Sequence, residues 1–161
     1  MLAIANPANG HVIAELPTDD AGSIAAKVGR ARAAQPAWAG TPLPQRLAAI
    51  RRFRDSLARE VDRLAAVLTS EVGKPLRQAR NEINGVLGRI DFFLEQTAGT
   101  VAARVVHDEA GVRERITHEP LGVVANISAW NYPYFVGGNV FLPALLTGNA
   151  VLYKPSELST L

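Results

Sequence analysis

Apolar residues recur every three to four positions through most of the first hundred residues, then give way to short alternating or continuous runs. The first spacing is that of helices with one buried face, the second that of strands. Leu2 to Ala5 and His11 to Leu16 flank the turn formers Asn6-Pro7-Ala8-Asn9-Gly10 and predict a β-hairpin. Asp19 and Asp20 can cap a helix with Ile24, Val28 and Ala31 on one stripe, which Pro36 is expected to stop near Gln35. From Pro44, the positions Leu47, Ile50, Leu57, Val61, Leu64 and Leu68 keep helical spacing as far as Gly73 and Pro75, with a break allowed at Arg59 or Glu60. A third helix is expected from about Leu76 to Gln96 on the stripe Ile83, Val86, Leu87, Ile90 and Leu94, with Gly99 beyond its end.

Val101 to Val106 and Val112 to Glu119 are β-like segments separated by His107-Asp108-Glu109-Ala110-Gly111. The second carries charges among its apolar positions, so the pair is expected as an exposed hairpin. Then follow 33 residues, Leu121 to Tyr153, with no charged side chain but four asparagines. A membrane span would need about 20 uninterrupted apolar residues. Here the asparagines, Gly137-Gly138, Pro133 and Pro143 divide the stretch into pieces too short for that. Strand Gly122 to Ile127, loop Ser128 to Pro133, helix Tyr134 to Leu146 closed by Gly148-Asn149, and strand Ala150 to Tyr153 is the better parse. Strands apolar on both faces suit a buried parallel sheet, and a helix between them makes a right-handed βαβ unit. Pro143 is expected to kink or shorten its helix.

In open α/β sheets, ligands bind beyond the carboxyl ends of the strands. Ser128 to Asn131 and Lys154-Pro155-Ser156-Glu157 both fall there. Lys154 can serve adenosine hydroxyls or a phosphate, while Glu157 can accept from a ribose diol and would repel a 2′-phosphate, which favours NAD over NADP. The crossover lacks a G-x-G-x-x-G loop, and no P-loop or nucleophile elbow occurs. On spacing alone, Lys154 and Glu157 also read as ordinary loop charges, with Ser156 or Glu157 opening another helix.

Composition narrows the class. The 161 residues, 48% apolar and 20% charged, suit one globular domain with a core. The pI of 9.3 reflects a net charge of only +2. Arg51, Arg52, Arg54 and Arg59 are interspersed with Asp55, Glu60 and Asp62, which suits a solvated helix face and argues against nucleic acid. With no cysteine, these residues hold no disulfide, thiolate metal site or cysteine nucleophile. His11, His107 and His118 lack metal-ligand spacing, so no metal site is expected. Met1 to Pro7 lacks the basic and long apolar regions of a secretion signal, and a cytoplasmic protein is expected.

Glu119-Pro120-Leu121-Gly122-Val123-Val124, Trp130-Asn131-Tyr132-Pro133, Pro143-Ala144-Leu145, Gly148-Asn149 and Lys154-Pro155-Ser156-Glu157 together resemble the aldehyde dehydrogenase superfamily in order and spacing. Asn6-Pro7-Ala8-Asn9-Gly10, Gln35-Pro36-Ala37-Trp38 and Glu71-Val72-Gly73-Lys74-Pro75 are similar to its amino-terminal part, so the resemblance covers essentially the whole chain. It implies an α/β fold cut at its amino-terminal portion. Residues 1–100 would form a hairpin and helical layer, 101–120 an oligomerisation arm, and 121–161 the first βαβ of a Rossmann-like cofactor domain.

The implied activity is NAD(P)-dependent oxidation of an aldehyde to a carboxylic acid through a cysteine thiohemiacetal and thioester. Asn131 would be the catalytic side-chain donor to the aldehyde oxygen. Ile127, Ser128, Ala129 and Trp130 would border the cofactor with their main chain, Lys154 and Glu157 would hold its adenosine ribose, and Ser156 would also be cofactor-binding. NAD is the expected cofactor, with NADP possible. Ala129 stands where the family commonly has proline, which leaves the rigidity of that loop open. Tyr132, Val136 and Asn139 would line the aldehyde tunnel, although packing is an open alternative for them. The partners implied are a small aldehyde and further copies of the subunit, as a homodimer or homotetramer. The nucleophilic cysteine, glutamate base and second cofactor motif are expected beyond Leu161, so residues 1–161 alone are expected to be inactive. A non-catalytic cofactor-binding or assembly module is the alternative.

Overall fold

The computed structural model describes residues 1–161. Strands β1 (Leu2–Ala5) and β2 (Val12–Leu16) form the expected antiparallel hairpin. Its turn is fixed by Asn6, whose Oδ1 accepts the Ala8 N–H at 2.9 Å, and by Asn9, whose Oδ1 accepts that of His11 at 2.9 Å. Asp20 caps α1 (Ala21–Ala39) in a reciprocal pair with Ser23, each side chain bonding the other's backbone N–H.

Two features of α1 differ from expectation. The helix continues through Pro36 for three further residues, and Ile24 is exposed. Proline in a helix interior costs about 3 kcal/mol. The last turn is nonetheless held from outside, because Gln35 and Trp38 donate to the carbonyls of Gly148 and Leu145. Val28, Ala31, Gln35 and Trp38 form the half-buried stripe, so the packed face includes a polar residue that the apolar pattern passes over.

The long helical stretch divides, as its pattern allows, into α2 (Leu43–Arg59) and α3 (Val61–Val72) at Glu60. Gly73, with a φ of 70°, ends α3, and Pro7 of the β1–β2 turn rests on it. Helix α4 (Leu76–Val101) runs five residues beyond the expected Gln96 and passes straight through Gly99. One exposed glycine costs about 1 kcal/mol, which cannot stop a helix packed on α2, α3 and, further along the chain, α5 (Pro133–Leu146). Ile50, Leu57, Ala65, Leu68, Ala79, Ile83, Val86, Ile90, Leu142 and Leu146 form the core where these helices meet.

Strands β3 (Arg104–Glu109) and β4 (Val112–Ile116) pair antiparallel, and every residue in them is exposed. The anticipated five-residue loop is instead a two-residue turn at Ala110 and Gly111, with φ of 51° and 78°. Positive φ at both positions twists the turn to match its strands, so β3 extends through Glu109.

Strands β5 (Val123–Ile127) and β6 (Ala150–Lys154) pair in parallel, with Ile127 opposite Lys154 and α5 as the crossover. Helices α1 and α5 both pack on the pair. The strands, apolar enough for a buried parallel sheet, are mostly half-exposed and Ile127 is 79% exposed, because the pair has no other strand beside it. Helix α5 runs three residues past Pro143, so the proline does not truncate it. No helix is long and apolar enough to cross a membrane.

Candidate active site

Helix α5 carries no charge, yet both its ends must satisfy backbone groups that have no partner inside the helix. The helical layer supplies them. At the amino end, Glu82 Oε1 accepts the N–H groups of Tyr134 at 3.0 Å and Phe135 at 3.3 Å. A carboxylate there also complements the positive end of the helix dipole. At the carboxyl end, Trp38 Nε1 donates to the Leu145 carbonyl at 2.8 Å, Arg46 Nε to that of Leu146 at 3.0 Å, and Gln35 Nε2 to that of Gly148 at 3.0 Å. The negative residue sits at the positive end and the arginine at the negative end, so α5 is clamped electrostatically as well as by packing.

Of the four asparagines of the uncharged stretch, Asn126 and Asn149 bond the chain through their side chains, while Asn131 and the half-buried Asn139 do not. Asn126, buried in β5, donates from Nδ2 to the Gly137 carbonyl at 3.0 Å. Gly137 leaves room for Tyr153, since a Cβ there would lie 2.6 Å from the Tyr153 hydroxyl and displace that side chain. Asn149 accepts the Gly122 N–H at 2.9 Å and donates to the Ala144 carbonyl at 3.1 Å, joining the start of β5 to the end of α5. Asn131 differs. It is exposed, and its main-chain oxygen, not its carboxamide, is the atom bonded to the chain.

That oxygen accepts from Lys74 Nζ at 2.6 Å. Lys74 also lies 4.0 Å from the Tyr132 ring centroid and is ion-paired with Glu82, whose side chain is fully buried. Removing one partner of such a pair leaves an uncompensated buried charge and costs about 3–5 kcal/mol. The sequence pattern assigns no role to Lys74 or Glu82. The available signal is Glu82 on the buried stripe of α4, between Ala79 and Ile83 on one side and Val86 on the other.

The two expected ligand loops do meet at one rim. Ser128 donates its N–H to the Lys154 carbonyl at 3.0 Å, and Lys154 Nζ lies 3.3 Å from Glu157 Oε2, both side chains projecting into solvent. The Glu157 backbone N–H, then Lys154, holds the Glu157 carboxyl below its ordinary range. Trp130 is exposed and Ala129 half-buried, whereas the Ser128 side chain is buried with no hydrogen-bond partner. Ser156 is also buried, and its hydroxyl accepts the Leu158 N–H at 3.2 Å, a turn-forming role. Tyr132 borders a groove of about 300 Å³ with Gln78, Asn81, Glu82, Gly85 and Phe135, while Val136 and Asn139 do not line it.

A second buried carboxylate, Glu71 at the end of α3, accepts the N–H groups of Thr160 and of Leu161, the latter at 2.9 Å. Burial pushes its carboxyl above the ordinary range against those two donors. Tyr134 lies in the field of both carboxylates, and burial, then Glu71 and Glu82, pushes its hydroxyl up to about 12. No cluster of histidine, aspartate and glutamate is placed to hold a metal ion.

Known proteins share this fold. The 3,6-anhydro-alpha-L-galactose dehydrogenase of Streptomyces coelicolor is 39% identical over 163 residues, a match covering 99% of this chain and 32% of that protein. A solved E. coli NADP-dependent enzyme superposes with a TM-score of 0.92 at 29% identity, covering 98% of this chain and 33% of its own. The structure of lactaldehyde dehydrogenase from Escherichia coli superposes with a TM-score of 0.91 at 28% identity, covering 98% and 33%. The chain thus spans about a third of the length of the relatives it matches. With the Aldehyde dehydrogenase family model matching residues 1–161 from end to end, the chain belongs to the aldehyde dehydrogenase family.

Proposed function

We propose that the complete protein is an NAD(P)-dependent aldehyde dehydrogenase and that residues 1–161 supply its oxyanion donor, Asn131, together with part of its cofactor rim. The observation that carries this reading is the exposed Asn131 carboxamide, free of the chain while its main chain is tied down, in the loop whose first residue, Ser128, bonds Lys154.

A thiolate from outside these cysteine-free residues attacks the aldehyde carbon. As the C–S bond forms, the carbonyl π electrons move to oxygen, and Asn131 Nδ2–H donates to the alkoxide. One prealigned donor in such a site contributes roughly 2.7–4 kcal/mol to that state. A nicotinamide cofactor, when bound, supplies hydride acceptance. The residues present fit one: exposed Lys154 and Glu157 offer a cation and a carboxylate to ribose hydroxyls, and the N–H groups of Ala129 and Trp130 are unused by the chain. Glu157, held ionised, repels a 2′-phosphate and so favours NAD over NADP. The thioester left after hydride transfer is hydrolysed by water, with the general base also drawn from outside these residues. Tyr132 borders the aldehyde's path, and the β3–β4 arm, exposed on both faces, joins subunits.

The test is Asn131→Ala in the protein encoded by the complete reading frame. The kcat for aldehyde oxidation should fall about 10²–10³-fold with the KM for cofactor unchanged. An unchanged kcat contradicts the reading.

A further inference from the structure

We propose that Lys74 and Glu82 are positioning residues for Asn131, a latch through which the helical layer sets the aim of the oxyanion donor. The inference rests on the reading of Asn131 given above and extends it to two residues that act on Asn131 through its main chain.

The loop Ser128 to Tyr132 has no regular structure and little else to hold it. Ser128 is fixed by its N–H to the Lys154 carbonyl, and Tyr132 by its carbonyl to the Val136 N–H. Between them, the only hydrogen bond made by residues 129–131 is the one from Lys74 to the Asn131 oxygen. An exposed loop peptide with neither carbonyl nor N–H engaged is free to rotate, and the Asn131 side chain would rotate with it.

Lys74 is committed in three directions at once: to Glu82, to the Asn131 oxygen and to the face of the Tyr132 ring. Its side chain is 11% exposed, so water competes little for its charge. Glu82 fixes the far side of the same segment, since one carboxylate oxygen takes the first free N–H groups of α5 and the other takes Lys74. The peptide after Asn131 and the helix starting at Pro133 are therefore referenced to a single ion pair on α4 and the α3–α4 connection. A displacement of about 1 Å at a reacting group can cost on the order of 100-fold in rate, so a latch on the main chain bears on chemistry without contacting the aldehyde.

The test uses the complete protein and a mutant cycle. Lys74→Met removes the tether. Because it leaves Glu82 buried without its cation and can impair folding, K74M/E82Q is made beside it, removing both charges while the side-chain amide introduced by E82Q still accepts from the Tyr134 N–H. Each is combined with N131A. Where the protein is folded by thermal midpoint, kcat should fall about 10–100-fold with the KM for cofactor unchanged, and adding N131A should bring the activity only to that of N131A alone. A latch variant within twofold of wild type while N131A is severely impaired overturns the positioning role and leaves the Asn131 reading intact. Losses that multiply also overturn it, since Lys74 and Glu82 would then act by another route. Full activity in N131A overturns the Asn131 reading and the latch with it.

Discussion

Buried charge is what individual residues contribute most distinctively to this chain, and Glu71 and Glu82 solve the same problem in different ways. Glu82 has Lys74 as a counter-ion, whereas Glu71 has only the backbone N–H groups of Thr160 and Leu161. Burial therefore raises the Glu71 carboxyl above its reference value of 4.5. The folded state binds that proton more tightly than the unfolded chain. Its contribution to stability is thus complete below the ordinary carboxylate range and is lost as pH rises through the raised value. Glu71→Gln keeps an acceptor for the two N–H groups and cannot ionise. Thermal midpoints across that window should show wild type losing ground to the variant as pH rises, then a constant difference above it. A difference independent of pH would show that Glu71 carries no strained charge. Residues of this kind are the least legible in the sequence. Asn131 stands out because an amide between two aromatics at the end of an apolar run demands a partner, while Glu82 reads as one more polar residue of a long helix.

Among the elements, α5 shows how the parts depend on one another. It is apolar and uncharged, and its ends are completed by Glu82 from α4, Arg46 from α2, and Gln35 and Trp38 from α1. Arg46 bonds three carbonyls, those of Leu146 at 3.0 Å, Ala39 at 2.9 Å and Thr41 at 2.6 Å, and so staples the α1–α2 connection to the end of α5. Arg46→Met should lower the free energy of unfolding by about 1.5–3 kcal/mol, read from the urea midpoint at constant slope. A shift near zero would mean that solvent can replace the staple. The periodic parts of the fold are readable because spacing states them directly: the division at Glu60, the stripe of α4 and the βαβ of β5, α5 and β6 all lie where their patterns put them. Helix ends are not. Pro36 is a local stop signal that contacts with the end of α5 override, and those contacts are invisible until α5 is in place, while Gly99 is exposed and a lone glycine costs too little to stop α4.

For the whole molecule, the helical layer serves as a frame that carries a small parallel sheet through α1 and α5 and presents two loops at its carboxyl rim. The arm projects from this frame with Val105, Val106, Val112 and Ile116 all exposed. A hairpin without a core of its own is marginal alone, and apolar residues on both faces suit burial against another subunit. Replacing Val105 and Val112 with aspartate in the complete protein should shift its sedimentation to a smaller species, and an unchanged species would remove the arm from assembly. The β5–β6 pair is half-exposed because apolar strands report what a finished sheet needs, and two strands covered by α1 and α5 supply only part of it.

The claim on which the account turns is where the Asn131 carboxamide points during chemistry. A structure of the complete protein holding cofactor and a covalent aldehyde adduct measures this directly. The account predicts Asn131 Nδ2 at about 2.7–3.1 Å from the adduct oxygen, with Lys74 still on the Asn131 carbonyl. A carboxamide turned away from that oxygen and bonded to neighbouring main chain would contradict it.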